Sequence, residues 1–382
     1  MDARSWAEAR KVLCVRLDTI GDVLMTTPAI RALKQQRSGR SITLLTSTIG
    51  AQAACLVPEV DEVGIYDPPW MKATEVRVDG DSDRAMIERI RRQDYDAAVI
   101  FTVYSQSAQP AALLVALADI PLRLAHCREN PYGLLTDWVR EPEPEAFIRH
   151  EVRRHLDLVA TVGAVTTDER LSLQPTPSAF AHVREMLRPL GYEVPRPWAV
   201  IHPGASAPSR RYPAARFGEA ARLLHEMTGA HLLFTGTNEE SKLVDEAMRH
   251  AGGGIPLVGR LSLDEMSALV AMADVVVTNN TAPAHIASAM GTPVVDLYAL
   301  TNPQHTPWQV PSRVLFHDTD CKYCYRSLCP LGHHRCLQLV EPSAVAYAAA
   351  ELLAANPSRL EGQLAREAAL AAMSAPEVAA VC

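Results

Sequence analysis

The sequence is short of most features that assign a function by composition. Aromatic residues are only 5% of it. There is no excess of positive charge: Lys+Arg 37 against Asp+Glu 44 leaves a net −7, which excludes a global basic field for nucleic acid. No apolar run could span a bilayer. The longest is Ala111 to Ala118, ended by Asp119, against the roughly 20 residues a spanning helix needs. The opening MDARSWAEAR has no apolar signal core. The chain is therefore expected in the cytoplasm, with docking on the inner-membrane surface left open.

Several motifs are also missing. Neither G-x-G-x-x-G nor G-x-x-x-x-G-K-[ST] follows a likely first strand, which removes the main support for dinucleotide and P-loop chemistry. His150-Glu151 and His155 only approximate H-E-x-x-H. At their spacing the two histidines lie about 140° apart around a helix and cannot share a zinc. Gly204-Ala205-Ser206-Ala207-Pro208 lacks the last glycine of a nucleophile elbow. Asp79-Gly80-Asp81-Ser82-Asp83 reads as a solvated loop, so no Asp-x-Asp metal site stands at a strand end.

What is present is ample apolar material, 48% hydrophobic against 21% charged, over 382 residues. That length suggests two domains of about 100–200 residues each. Lys11 to Asp18 (KVLCVRLD) reads as a buried strand, Thr19-Ile20-Gly21 as a turn, and Asp22 as the opening of a helix. Ser41–Thr46 and Asp94–Thr102 are further strands, with helices over Pro110–Ala118 and about Phe147–Val162. After a Pro-rich stretch the alternation restarts. Trp198–Gly204, His231–Gly236, Asp274–Asn280 and Thr292–Tyr298 read as strands, the last being the final one. Pro213–Met227, Ser262–Ala273 and Pro283–Met290 read as the helices between them. The expectation is α/β: two Rossmann-like, doubly wound domains facing across a cleft, the default ligand site of such sheets. The boundaries are 1–170 for the first domain, 171–197 for a linker region and 198–342 for the second domain. A C-terminal helix and tail follow over 343–382.

Three strand-to-helix junctions could carry chemistry. In Arg16-Leu17-Asp18-Thr19-Ile20-Gly21-Asp22, a carboxylate stands at the carboxyl edge of the first sheet. By position alone Asp22 reads more readily as an N-cap or first-turn aspartate favoured by the helix dipole. His202 to Pro213 combines small residues, hydroxyls and the cations Arg210 and Arg211, which suits a phosphate; a solvated loop is the alternative. Thr278-Asn279-Asn280-Thr281-Ala282-Pro283-Ala284-His285 puts polar residues before a helix start, where plain capping is the alternative. The fourth feature is the crowd Cys321, Cys324, Cys329 and Cys336, spaced C-x₂-C-x₄-C-x₆-C. Four thiolates could close a tetrahedral zinc site, with His333 or His334 replacing one; buried thiols or disulfides are the alternative.

Together these stretches resemble glycosyltransferase family 9, the bacterial ADP-heptose:lipopolysaccharide heptosyltransferase group of the GT-B class. VRLDTIGDVLMTTPAIRALK is similar to the family's opening strand–GD–helix, and HPGASAPSRRYPAARF to its phosphate loop. VTNNTAPAHIASAMGTPVVDLYALTNP resembles its "DTGPMHLAAALGTPVVALFGPTDP"-type block, and CKYCYRSLCPLGHHRCL a Cys-rich segment found in part of the family. The resemblance implies an inverting transferase that moves heptose from ADP-heptose to an acceptor hydroxyl of the lipopolysaccharide core. It makes the first domain acceptor-binding and the second donor-binding. Asp22 becomes the catalytic base. Ser206 and Arg210 meet the donor diphosphate, and Glu240 or its neighbour Glu239 holds the ribose. Asn280, the Thr281–Ala282 backbone and His285 complete the donor site. No cofactor is required for catalysis, and the cysteines could hold a structural zinc. The partners are a nucleotide-sugar donor and a lipid-linked or core-oligosaccharide acceptor, with no nucleic acid. The departures are Arg210 where Lys is usual, Asn280 where an acid is usual and Ala282 where Gly is usual. Two other functions remain in view: a metal-containing binding or assembly protein with a decayed transferase site, and a GT-B-fold sugar-nucleotide epimerase.

Overall fold

The computed structural model describes residues 5–71, 79–191 and 197–355. The tail expected beyond residue 356 lies outside them. The chain divides into two compact units, the first running to Ser172 and the second beginning at Leu173.

The first unit is β1 (Lys11–Arg16), α1 (Ile20–Gln36), β2 (Ser41–Thr46), α2 (Thr48–Ala54), β3 (Glu62–Ile65), α3 (Asp81–Arg92), β4 (Ala97–Ile100), α4 (Gln109–Leu117), β5 (Leu122–Cys127), β6 (Asp137–Arg140) and α5 (Glu151–Ala160). Its six strands lie in the order β3-β2-β1-β4-β5-β6, all parallel. β1 and β4 are buried on both faces, as parallel strands between helix layers must be, which is why KVLCVR and AAVI show no alternation. The core on one face joins Leu13, Val15, Leu45 and Ile100 to Ala111, Leu114 and Val115.

The helix after β1 begins at Ile20, two residues before the expected start. Thr19 is its N-cap and Asp22 the third helical residue, the two forming a reciprocal capping box. The helix also runs through Pro28. A proline there removes the bond to the Leu24 carbonyl, and the Thr27 hydroxyl supplies a replacement at 2.7 Å. The acidic run at Asp79 is not wholly solvated loop. Asp81 and Asp83 occupy the first turn of α3, and Asp83 accepts the Tyr66 hydroxyl at 2.6 Å.

The second unit is α6 (Pro177–Leu187), β7 (Trp198–His202), α7 (Ala214–Thr228), β8 (His231–Phe234), α8 (Ser241–Ala251), β9 (Ile255–Pro256), α9 (Leu263–Met272), β10 (Val275–Asn279), α10 (Ala282–Met290), β11 (Val294–Leu297), β12 (Ser312–Leu315), α11 (Arg335–Gln338) and α12 (Pro342–Ala354). Its strand order is β12-β11-β10-β7-β8-β9, again all parallel. Read from the other edge, this is the order of the first unit. β11 is therefore not the last strand: Ser312–Leu315 pairs outside it. Residues 171–197 hold a helix, α6, whose N-cap Thr176 bonds Asp264 of α9 through both its backbone N–H at 2.9 Å and its hydroxyl at 2.6 Å.

In both sheets the strand order reverses between the first and fourth strands, β1 and β4, or β7 and β10. Ligands of doubly wound sheets sit outside the carboxyl ends of the strands at such a point.

α7 and α8 touch closely because Gly218 has no side chain: a Cβ there would stand 2.1 Å from the Ala247 carbonyl oxygen and 2.6 Å from the His250 Cβ. Gly218→Ala should therefore force the helices apart and cost about 1–3 kcal/mol or more, read as a lower urea midpoint. An unchanged midpoint would show that the contact relaxes freely.

Candidate functional site

At the switch point of the first unit, everything turns on Arg16, the last residue of β1, whose side chain is fully buried. Its Nη2 donates to Asp22 Oδ1 at 3.0 Å, its Nε lies 3.2 Å from Asp18 Oδ2, and its Nη1 lies 3.6 Å from Glu151 Oε1. The other Asp22 oxygen accepts from the Thr19 N–H at 3.1 Å and the Thr19 hydroxyl at 2.8 Å. From β4's side, Gln106 Nε2 donates to Asp18 Oδ1 at 2.6 Å. The Asp22 side chain is 18% exposed and the Asp18 side chain 13%. Asp22 is thus oriented at both oxygens yet still reachable from solvent.

Beneath them, α5 turns a charged face inward. Glu151, Arg154 and His155 are all buried on it. Glu151 Oε1 is 2.9 Å from His155 Nε2 and 3.5 Å from Arg154 Nη1, while Arg154 also pairs with Glu141. Burial alone would push Glu151 toward its neutral form, but His155, Arg154 and Arg16 outweigh it and hold the carboxyl well below the usual range. Burial lowers the pKa of His155, helped by the two arginines and opposed by Glu151. Arg16 loses hydration by burial, yet Asp18, Asp22 and Glu151 together raise its pKa. Asp18 has the opposite fate. Burial pushes it up to about 6, with Arg16 pulling down and Asp22 pushing up.

At the switch point of the second unit, the loop after β7 is held from below by Asn279, the last residue of β10. Its Nδ2 donates to the carbonyls of Pro203 at 2.9 Å and Gly204 at 3.1 Å, and its Oδ1 accepts from the Tyr212 N–H at 2.9 Å. Arg211 is spent inside the loop, donating to the Ala205 carbonyl at 2.7 Å. Arg210, half-buried, makes no side-chain hydrogen bond or ion pair among the described residues, so it is the cation left for a ligand. Ser206 is exposed.

Glu239 and Glu240 separate in space. Glu239 is exposed, whereas Glu240 lies over the β7 loop, with its Oε2 3.8 Å from His202 Nε2 and accepting the Thr237 N–H at 3.0 Å. A Cβ on Gly204 would stand 2.1 Å from Glu240 Oε1, so glycine is what lets the carboxylate lie there. Burial lowers the pKa of His202, opposed by the Glu240 carboxylate. Thr281 caps α10 in extended backbone, with Ala282 and Pro283 as the first two helical residues and His285 buried in the first turn. The N-terminus of α10 thus stands at the carboxyl edge of the sheet, where a helix dipole favours an anion.

The Cys-rich segment borders these loops directly. Arg326 and Ser327, between Cys324 and Cys329, offer their carbonyls to the Ser209 hydroxyl at 2.7 Å and the Ser209 N–H at 3.1 Å. Tyr323 and Tyr325 bond the backbone after β11. The four cysteines are free thiols, not disulfides. Cys321 Sγ is 3.8 Å from His333 Nε2, and burial raises the Cys336 thiol, with the other three thiols adding to the effect. Among the described residues, however, no three His, Cys, Asp or Glu side chains gather as a metal-ligand set.

The sequence pointed to Asp22, Arg210, Glu240 and Asn280. It missed Arg16, Asp18, Gln106, Glu151 and His155, and also Asn279. One signal was available: Glu151 and His155 stand four apart on a helix, hence on one face.

These two parallel, doubly wound sheets, each with polar groups at its switch point, define an α/β protein of two Rossmann-like units. The chain belongs to glycosyltransferase family 9 (heptosyltransferase), whose family model matches residues 84–334, and it is a glycosyltransferase. It is 26% identical over 310 residues to "Lipopolysaccharide heptosyltransferase 2" of Escherichia coli (strain K12), covering 78% of this chain and 85% of that one. Among solved structures it resembles a family 9 glycosyl transferase from Veillonella parvula at 20% identity and TM-score 0.75, covering 90% of this chain and 97% of that one. It also resembles the E. coli heptosyltransferase WaaC solved with ADP-2-deoxy-2-fluoro heptose, at 20% identity and TM-score 0.63, covering 91% and 99%. These likenesses match the GT-B fold. No helix among the described residues is long and apolar enough to cross a membrane.

The raised pKa of Asp18 has a consequence for stability. The folded protein holds a proton that the unfolded chain, with its carboxyl near 3.8, has already lost. The stabilising contribution is full below about pH 4 and is lost as pH rises through about 6. Asn cannot ionise, so the stability of Asp18→Asn relative to wild type, whatever offset the altered contact with Arg16 sets, should rise between pH 4 and 7 by about 3 kcal/mol at most. Urea unfolding of both proteins across that range checks this; parallel curves would show that Asp18 ionises normally.

Proposed function

We propose that this chain transfers heptose from ADP-heptose to a hydroxyl of the lipopolysaccharide core, with inversion at the anomeric carbon. Family membership and the names of its relatives support the substrate class. The observation that carries the mechanism is the Asp22 carboxylate, oriented by Arg16 and Thr19 and still open to solvent. In this reading the first unit, 1–170, binds the acceptor and 198–342 binds the donor. Asp22 takes the proton of the acceptor hydroxyl as general base. The oxygen attacks the anomeric carbon, the bond to the diphosphate breaks, and ADP departs with the charge. Arg210, Ser206 and the N-terminus of α10 stabilise that growing charge. Glu240, rather than the exposed Glu239, holds the ribose hydroxyls, and Asn280, Thr281, Ala282 and His285 complete the donor site. The acceptor is lipid-linked, which places the protein on the cytoplasmic face of the inner membrane as a peripheral enzyme.

The Cys-rich segment is proposed to take one structural zinc. Four free thiols and a nearby histidine are the right donor set. The thiols would have to draw together for binding, since they do not gather as they stand. A metal there would stiffen the Arg326–Ser327 backbone against which Ser209 rests, and with it the loop carrying Arg210.

Transfer from ADP-heptose to a heptose-acceptor core should fall about 10²–10⁴-fold in Asp22→Asn with donor binding kept. Arg210→Ala should weaken donor binding and Arg211→Ala should chiefly soften the loop. Turnover of Asp22→Asn within tenfold of wild type would remove Asp22 from the mechanism.

Elemental analysis for zinc and iron on reduced, purified protein should find about one zinc per chain. The double variant Cys321→Ser/Cys324→Ser should lose both the metal and thermal stability. Metal-free wild type of unchanged stability and activity would end the zinc reading.

A further inference from the structure

One acidic group beside the donor loops has no part in the function proposed above. Asp296 lies on β11, opposite Thr278 of β10, and is completely buried. Its Oδ1 has no hydrogen-bond partner among the described residues. A carboxylate so placed is costly unless something nearby answers it. Two groups do. Asn280 Nδ2 donates to Asp296 Oδ2 at 3.3 Å, and the Arg210 guanidinium lends its field. Burial still dominates and pushes the Asp296 carboxyl up to about 7.

The consequence falls on Asn280. The same Nδ2 also donates to the His305 carbonyl at 2.8 Å. Both amide hydrogens are therefore committed to acceptors. Turning the amide over would set its oxygen against the His305 carbonyl, which has no proton to give, so this assignment is chemically fixed whichever form Asp296 takes. Oδ1 is then the atom Asn280 still has to offer, and it is an acceptor beside the start of α10. An acceptor suits a hydroxyl and repels a phosphate.

We propose that Asp296 is a positioning residue for the donor sugar: with the His305 carbonyl it locks the Asn280 amide so that Oδ1 accepts from a sugar hydroxyl. This rests on the reading of the second unit as donor-binding. It also accounts for the neutral residue at position 280. Two carboxylates at this separation cannot both ionise, so the pair holds one acid, and in this chain the acid stands one strand over.

The test separates sugar recognition from nucleotide recognition. Isothermal titration with ADP and with ADP-heptose is run on wild type, Asp296→Leu, Asp296→Asn and Asn280→Leu. Asp296→Leu removes one of the two acceptors that hold the amide and frees it to swing about the His305 contact, and should weaken ADP-heptose about tenfold, the size of one hydrogen bond, while ADP affinity stays within twofold. Asn280→Leu should do the same. Asp296→Asn keeps an acceptor oxygen and should stay near wild type for both probes. Equal losses for ADP and ADP-heptose, or unchanged ADP-heptose affinity in Asp296→Leu, would overturn the proposal. If Asp296→Leu does not fold, Asn280→Asp carries the test: a second acid against Asp296 should weaken ADP-heptose selectively, and Asn280→Asp/Asp296→Asn, with one acid, should restore it. A double variant no better than Asn280→Asp would overturn the proposal. Wild type that binds neither probe would sink the donor-binding reading first, and this inference with it.

Discussion

A cation buried at the end of the first strand is the constraint on which the first unit depends. Arg16 has no water to solvate it, so carboxylates must do so, and Asp18, Asp22 and Glu151 converge from a turn, a helix start and a distant helix. Removing one partner from such a cluster would leave an uncompensated buried charge, which typically costs several kcal/mol. The cluster therefore holds the turn after β1, the first turn of α1 and the register of α5 together. Asp22 is held at both carboxylate oxygens by groups that are themselves held, the support that the proposed role as a base would require.

The second unit fastens its strand-end loop largely with neutral groups. Asn279 uses both ends of its amide to fasten the loop after β7, and Arg211 fastens it again from within. The division between neighbours is instructive. Of two adjacent arginines, one is consumed by the loop's own backbone and one is left over. Of two adjacent glutamates, one is carried out to solvent and one lies over Gly204. In each pair the residues are chemically identical, and only the path of the backbone decides which of them can meet a ligand.

The Cys-rich segment joins this arrangement through main-chain atoms. The Arg326 and Ser327 carbonyls receive Ser209, so the Cys-rich segment and the loop after β7 share a hydrogen-bonded border. Whatever stiffens the cysteines stiffens the loop. The coupling was invisible in sequence, because Ser209 and Arg326 lie far apart along the chain and the contact uses backbone oxygens that any residue could supply.

Much of the fold was legible because its signals are local. Apolar runs such as KVLCVR and WAVIH announce buried parallel strands, and Ser262 with Glu265 announces a helix start. The short strands β3, β5, β6, β9 and β12 were missed, since a few residues of mixed polarity hold no periodic signal and become strands only when a neighbouring edge offers hydrogen bonds. The junction residues Asp22, Arg210 and Asn280 could be singled out because small, polar and charged residues at a strand end are unusual locally. Their supports could not be tied to them: Arg16 lies inside a strand, Asp296 in an apolar run on the next strand, and the shared helix face of Glu151 and His155, though legible, lies more than a hundred residues away. The sequence by itself determined the two doubly wound units and the chemical types at their strand ends, because propensity and periodicity act over a few residues. Only the tertiary structure decided which charges face one another, because burial makes pairing obligatory and burial is a property of the whole packed chain.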